Sequence, residues 1–170
     1  MKLKMTFLSI KTIPSLPWSS PKPLNFFPRI ITLGYLVLGL VLFGIGEAIL
    51  IAAGSGVSPW TVLAQGVMNL TTWSVGFSTF IISGSVLLLW IPLRQTPGIG
   101  TILNVIIVAT VIDFSLHYLP ITGNSSLQVI YALAGVLITG IGGGIYLTAN
   151  LGAGPRDGLM TGLQRISGAP

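Results

Sequence analysis

The sequence predicts an all-α fold, a polytopic bundle of transmembrane helices built from inverted-topology internal repeats with broken half-helices, the second repeat incomplete. Three observations predict it. Of the 170 residues, 52% are apolar and 6% charged, too few polar side chains to coat a soluble domain. Four apolar stretches approach the ~20 residues that a helix needs to cross a hydrocarbon core. Residues 35 to 67 realign without a gap on residues 131 to 163 at an offset of 96, and 11 of those 33 positions are identical. A duplicated broken helix in an apolar chain is the pattern of a transporter fold.

Taken in order, residues 1–29 carry Lys2, Lys4, Lys11, Lys22 and Arg29 between Pro14, Pro17, Pro21, Pro23 and Pro28. Proline at that density prevents regular helix or sheet, so a basic, mostly unstructured tail is expected. Its apolar cluster around Met5 to Ile10 is too short for a signal-peptide core, and the first span is expected to act as an uncleaved anchor. That span covers 30–53. After a glycine-rich break, Ser58 can cap a half-helix near 58–70 that Pro59 begins. It is too short to cross, so it enters and leaves on one side or lies in the interface. Spans at 74–93 and 99–119 complete a first three-span repeat over 30–119. The fourth span, 127–150, opens a second repeat over 127–170. Its half-helix, near 155–167, starts at Pro155, and Asp157 suits the positive helix end. Pro170 aligns with Ser74, so two further spans are expected to be missing here or supplied by a partner.

Charge placement gives an orientation. The eight basic residues lie in the tail, at Arg94, and at Arg156 and Arg165, whereas segments 54–73 and 120–126 hold none. Four crossings put all eight on one side, which the positive-inside rule makes cytoplasmic. The expected location is the bacterial inner membrane, multi-pass, with the N-terminus in the cytoplasm. The two breaks then face opposite sides. The net charge of +5 follows from this placement and predicts no nucleic-acid partner. The chain has no cysteine and one histidine, which excludes disulfides and thiolate metal sites and leaves no basis for a metal or cofactor. Gly98-x-Gly100 lacks the preceding strand of a nucleotide motif.

The glycine-rich span leading into Ser58-Pro59-Trp60, the run Pro97-Gly98-Ile99-Gly100-Thr101 with Asn104 and Asp113, and the string Leu151-Gly152-Ala153-Gly154-Pro155-Arg156-Asp157-Gly158-Leu159-Met160 together resemble the YczE/YyaS/YitT family of bacterial membrane proteins. The resemblance covers about residues 30–168. It implies a polytopic inner-membrane protein without an assigned biochemical activity, and it carries over no catalytic residues. Members of that family often place an acidic residue where this chain has Thr61, and they usually continue through further spans.

Seven residues are candidates for substrate or ion binding: Glu47, Asp113, Ser58, Trp60, Asn104, Arg156 and Asp157. An ionised carboxylate inside a span costs at least ~2.5 kcal/mol, which makes Glu47 a functional candidate by default. Asp113 lies at similar depth in the third span, with His117 one turn nearer its outer end. Such a group could bind a cation or pass protons. Alternatively Glu47 is protonated or hydrogen-bonded in helix packing, and Asp113 and His117 reach the headgroups. The half-helix starts at Ser58 and Pro155 favour anionic groups, and Arg156 would add a bidentate donor. Equally, Asp157 could pair with Arg156, Ser58 could be a cap, Trp60 an interfacial anchor and Asn104 interhelical glue. Gly140-x-x-x-Gly144 and Gly158-x-x-x-Gly162 suit close helix approach.

The function expected from these features is a transporter-like permease for an unidentified small solute or ion, driven by an ion gradient. The rival is a non-transporting scaffold or regulator that docks on a partner membrane protein through its glycine faces, with the basic tail on anionic lipid. Expected partners are the lipid bilayer, a small solute or ion, and a second copy or another membrane protein. No enzyme is expected, because no nucleophile has an adjacent base.

Overall fold

Proline and glycine punctuate the apolar sequence. Among the residues described by this computed structural model, 16–120 and 123–167, they divide it into six helices and no strand. These are α1 (Ile30–Ala53), α2 (Pro59–Leu70), α3 (Val75–Leu89), α4 (Ile99–Tyr118), α5 (Ser125–Thr148) and α6 (Pro155–Ser167). Lys2, Lys4, Lys11 and Pro14 of the expected tail, and Pro170, lie outside the described residues.

Each break uses left-handed backbone. Gly54 ends α1 at φ 65° with its N–H on the Ile51 carbonyl, and Gly56 follows at φ 136°. After α5 the same path is taken by Asn150 at φ 57° and Gly152 at φ 122°. These are partners at the 96-residue offset, so the two breaks share one conformation as well as similar sequence. Pro59 and Pro155, also partners, then open the short helices, because a missing N–H costs nothing in a first turn.

Three helices, α1, α4 and α5, are long and apolar enough to cross a membrane. The expected span over 74–93 is shorter: α3 has 15 residues and ends at Leu89. Pro92 removes an N–H and disfavours helical backbone at Ile91, so the Trp90 and Ile91 amides fall back on the Leu87 and Leu88 carbonyls. The pair α2 and α3 is bent by 113° at residues 71–74.

The main packing surface is α1 against α5. A β-carbon on Gly39 would meet the Tyr146 amide and the Gly142 carbonyl, and one on Gly46 would meet Thr139 and the Gly135 carbonyl. Contacts that climb α1 while descending α5 make the pair antiparallel. The 96-residue offset carries Gly39 onto Gly135 and Gly46 onto Gly142, so it exchanges these two crossings. Small residues let the backbones meet where no hydrophobic effect drives helices together. α1 also packs on α4, and α3 packs on α4 through Gly76 against Ala109 and Asp113.

One end of the bundle gathers the starts of α1 and α4 and the second break. There the Gly100 amide donates to the Leu151 carbonyl at 2.9 Å and Thr101 Oγ1 to the Ala153 carbonyl at 2.7 Å. The opposite end gathers the first break, the start of α5 near Gly54, and the start of α3 beside Asp113. Trp90, at the far end of α3, donates its indole N–H to the Pro155 carbonyl at 3.1 Å, so α3 joins the two ends despite its length.

Residues 16–29 form no helix or strand, yet they are docked and not free as expected from the sequence. Ser20 is buried, its amide donates to the Ala149 carbonyl at 3.0 Å, and its own carbonyl accepts from Asn150 Nδ2 at 2.9 Å. The Trp18 carbonyl accepts from Thr32 Oγ1 at 2.7 Å, and the Trp18 ring stacks on Tyr35. This strap lies over the second break, where the polar groups of a broken helix need partners.

Candidate functional site

The bundle leaves a partly open cleft of about 530 Å³, a volume that includes the space at its mouth. Phe43 and Glu47 face it from α1, Ser58, Trp60 and Thr61 from the start of α2, and Thr79 and Ser83 from α3. Across it stand Asn104, Val105, Val108 and Ile112 of α4, Tyr146 of α5, and Gly154 to Asp157 at the start of α6. Both breaks therefore deliver a helix start to the same space.

Glu47 is only 4% exposed. Its Oε2 accepts from Thr61 Oγ1 at 2.6 Å and from Ser58 Oγ at 3.4 Å, and the two hydroxyls are 2.9 Å apart. Ser58 Oγ also accepts from the Thr61 amide at 3.3 Å, so one residue caps α2 and reaches the carboxylate. Hydroxyl donors offset part of the cost of removing a carboxylate from water.

The second copy makes the reciprocal contact. Asp157 stands at the position equivalent to Thr61, and its Oδ2 accepts from the Tyr146 hydroxyl. Its Oδ1 lies 3.7 Å from Arg156 Nε. The Arg156 guanidinium in turn sits over the Phe43 ring, 5.8 Å from its centroid. In the first copy the acid is on the long helix and the hydroxyl on the short one; in the second the two are reversed.

Six of the seven sequence candidates, Glu47, Ser58, Trp60, Asn104, Arg156 and Asp157, line this cleft. Asp113 does not. It accepts from Ser74 Oγ at 2.5 Å and from the Gly76 amide at 2.7 Å, closing the start of α3. The carboxylate pair expected from equal depth is thus separated. Ile112 faces the cleft, and its neighbour Asp113 points about 100° away around the helix, onto α3. His117 is exposed, edge-on to the Tyr118 ring. Asn104 lies beside Gly154, where a β-carbon would stand 3.2 Å from each of Asn104 Nδ2, Asp157 Oδ2 and the Tyr146 hydroxyl.

Seven cleft residues were not singled out from the sequence: Phe43, Thr79, Ser83, Val105, Val108, Ile112 and Tyr146. A signal existed for two of them, because Gly76, Thr79 and Ser83 recur at i, i+3 and i+7 and form one small polar stripe on α3. A phenol eight residues before Gly154 had no such pattern.

Residues 30–170 match a family of unknown function, DUF6198. An uncharacterized protein of Haemophilus influenzae (strain ATCC 51907 / DSM 11121 / KW20 / Rd) is 39% identical over 155 residues, 91% of this chain and 70% of that protein. The uncharacterized membrane protein YczE of Bacillus subtilis (strain 168) is 34% identical over 128 residues, 72% of this chain and 58% of that protein. The chain therefore spans roughly three-fifths to seven-tenths of the relatives it matches. No solved structure matches it. The resemblance carried by the Gly-Pro-Arg-Asp-Gly-Leu-Met string extends through the helices. With its apolar spans and this kinship the protein is a membrane protein, and the chain belongs to the DUF6198 family.

Proposed function

We propose that this protein is a transporter-like permease for a small solute or ion, set in the bacterial inner membrane with its N-terminus in the cytoplasm. The observation that carries the reading is the convergence of two proline-initiated short helices and a buried carboxylate, Glu47, on one cleft between apolar helices. Discontinuous helices that meet in the middle of a bundle are how transporter folds present helix ends and carboxylates to a solute.

In this reading α1–α4 and α5–α6 belong to two repeats of opposite orientation. The antiparallel α1 and α5 support it, as does the exchange of their glycine crossings by the repeat offset. At about 1.5 Å per residue α3 rises about 22 Å, so its crossing is completed by residues 90–93 or by local thinning of the bilayer. Lys22, Arg29 and Arg94 lie on segments at the strap end of the bundle, which supports a cytoplasmic location for that end. Glu47 would hold the positive charge that crosses with the solute, taking it up or releasing it as Thr61 and Ser58 approach or leave.

The test is reconstitution into vesicles under an inward proton or sodium gradient, with uptake from a labelled mixture of small metabolites. Accumulation that falls at least tenfold in Glu47→Gln is expected. A rival reading, a scaffold for another membrane protein, draws on α5, which buries Gly135, Gly142 and Tyr146 and leaves Leu133, Val136, Leu137 and Ile141 bare. Flux no greater than in empty vesicles, with a membrane protein copurifying, would put that reading first.

A further inference from the structure

We propose that the cleft takes a small zwitterion of the α-amino-acid type, its ammonium on Glu47 and its carboxylate at the start of α6. This rests on reading the cleft as the solute site and names the solute's chemistry.

The assignment follows from which polar groups in the cleft are engaged and which are free to bind. Asp157 is engaged at both oxygens, Oδ2 by Tyr146 and Oδ1 by Arg156 Nε. Glu47 is engaged at one: both hydroxyls donate to Oε2, and Oε1 accepts no hydrogen bond among the described residues. The cleft thus offers one anionic acceptor, which suits a single ammonium and not a dication. Facing it are donors. Arg156 contacts Asp157 through Nε, which leaves its outer N–H groups for another anion. The Asn104 amide makes no hydrogen bond among the described residues, and the first turn of α6 presents backbone N–H groups. Ser83 lines the same space, and its hydroxyl makes no hydrogen bond among the described residues.

Geometry sets the spacing. Arg156 rides on Phe43, and Phe43 precedes Glu47 by one turn on the same face of α1, about 6 Å. A positive and a negative group that line one cleft match a solute that carries both charges. Across the cleft Val105, Val108 and Ile112 of α4 form an apolar wall for a hydrocarbon side chain. An anion alone would meet the buried Glu47, and an amine alone would leave the donors of α4 and α6 unused.

The experiment uses the purified chain in lipid nanodiscs and three probe mixtures: the protein-forming α-amino acids, the amines left by removing their carboxyl groups, and the acids left by removing their amino groups. Binding is read by thermal shift and by the part of the tryptophan fluorescence change that Trp60→Phe removes, since Trp60 is the tryptophan that lines the cleft. The amino acids are expected to bind at least tenfold more tightly than either singly charged set. Glu47→Gln and Arg156→Gln should each remove at least tenfold, with Arg156→Lys between wild type and Arg156→Gln. Should Glu47→Gln fail to fold, Asn104→Leu replaces it, since Asn104 gives up no internal hydrogen bond, and it too should lose at least tenfold. Amines that bind as well as amino acids would overturn the zwitterion and leave the cleft as a solute site. Binding of none of the mixtures would overturn the zwitterion as well, and vesicle flux of some other metabolite would then decide the cleft reading separately.

Discussion

A β-carbon on Gly39 would stand 2.9 Å from the carbonyl oxygen of Gly142, so the backbones of α1 and α5 touch there with no side chain between them. The obstructing atoms are main chain and cannot swing aside. Gly39→Ala is therefore expected to lower stability by about 1–3 kcal/mol, the usual cost of overpacking. Gly34→Ala, which meets nothing within 4 Å, should be neutral or stabilise the helix by up to about 1 kcal/mol. Thermal unfolding of both variants in one detergent checks this, and equal melting would mean that the α1–α5 crossing is looser than described.

Thr61 holds the position in the first copy that Asp157 holds in the second. Thr61→Asp would set a second carboxylate against Glu47 in place of a hydroxyl 2.6 Å away. It is expected to cost about 1–3 kcal/mol, with the buried acceptor left unsatisfied. Adding Glu47→Gln restores a donor, and the pair should recover most of the loss. A double-mutant cycle on melting temperature reads the coupling. Strictly additive effects would show that the two side chains do not meet.

Trp90 covers Gly158 so closely that a β-carbon there would lie within 2.7 Å of several ring atoms. Gly158→Ala should destabilise the chain by about 1–3 kcal/mol. Trp90→Phe forfeits the indole bond to the Pro155 carbonyl and should cost about 0.5–1.5 kcal/mol, but it makes room for the methyl group. The double variant is expected to be more stable than the sum of the two changes. Additivity would indicate that α6 is not seated on α3.

The chain has no cysteine, so single ones can be placed without background. Ser55→Cys should react with a membrane-impermeant thiol reagent in intact cells, and Ala153→Cys only after lysis. Labelling of both in intact cells would make the copies parallel and overturn the proposed orientation.

Much of this architecture could be read from the residues because duplication repeats geometry along with sequence. The left-handed positions Gly54 and Gly56 and the helix-opening Pro59 recur as Asn150, Gly152 and Pro155. What was not legible is mostly azimuth and long-range pairing. Depth places Asp113 level with Glu47, but only packing decides that its face of α4 turns to α3 and not to the cleft. No periodicity links Glu47 to Thr61, because the break between them discards the helical phase. The early end of α3 is encoded by Pro92, inside an apolar run that continues to Leu93. The docking of residues 16–29 depends on the Ala149 carbonyl and the Asn150 side-chain amide of a break about 130 residues away, which composition does not reveal.

The Gly39–Gly142 crossing also sets a timetable for synthesis. Thr61 is synthesised only 14 residues after Glu47, about 1–3 s later at ~5–20 residues per second. The glycine face of α1 waits for roughly a hundred further residues, on the order of 5–20 s at the same rate. Throughout that interval α5 is not yet made, so the notch of α1 has no α5 to fill it. The insertion machinery, or any membrane protease that surveys unpaired helices, thus has its opportunity before α5 emerges, and a ribosome pause ahead of Ser125 would lengthen it.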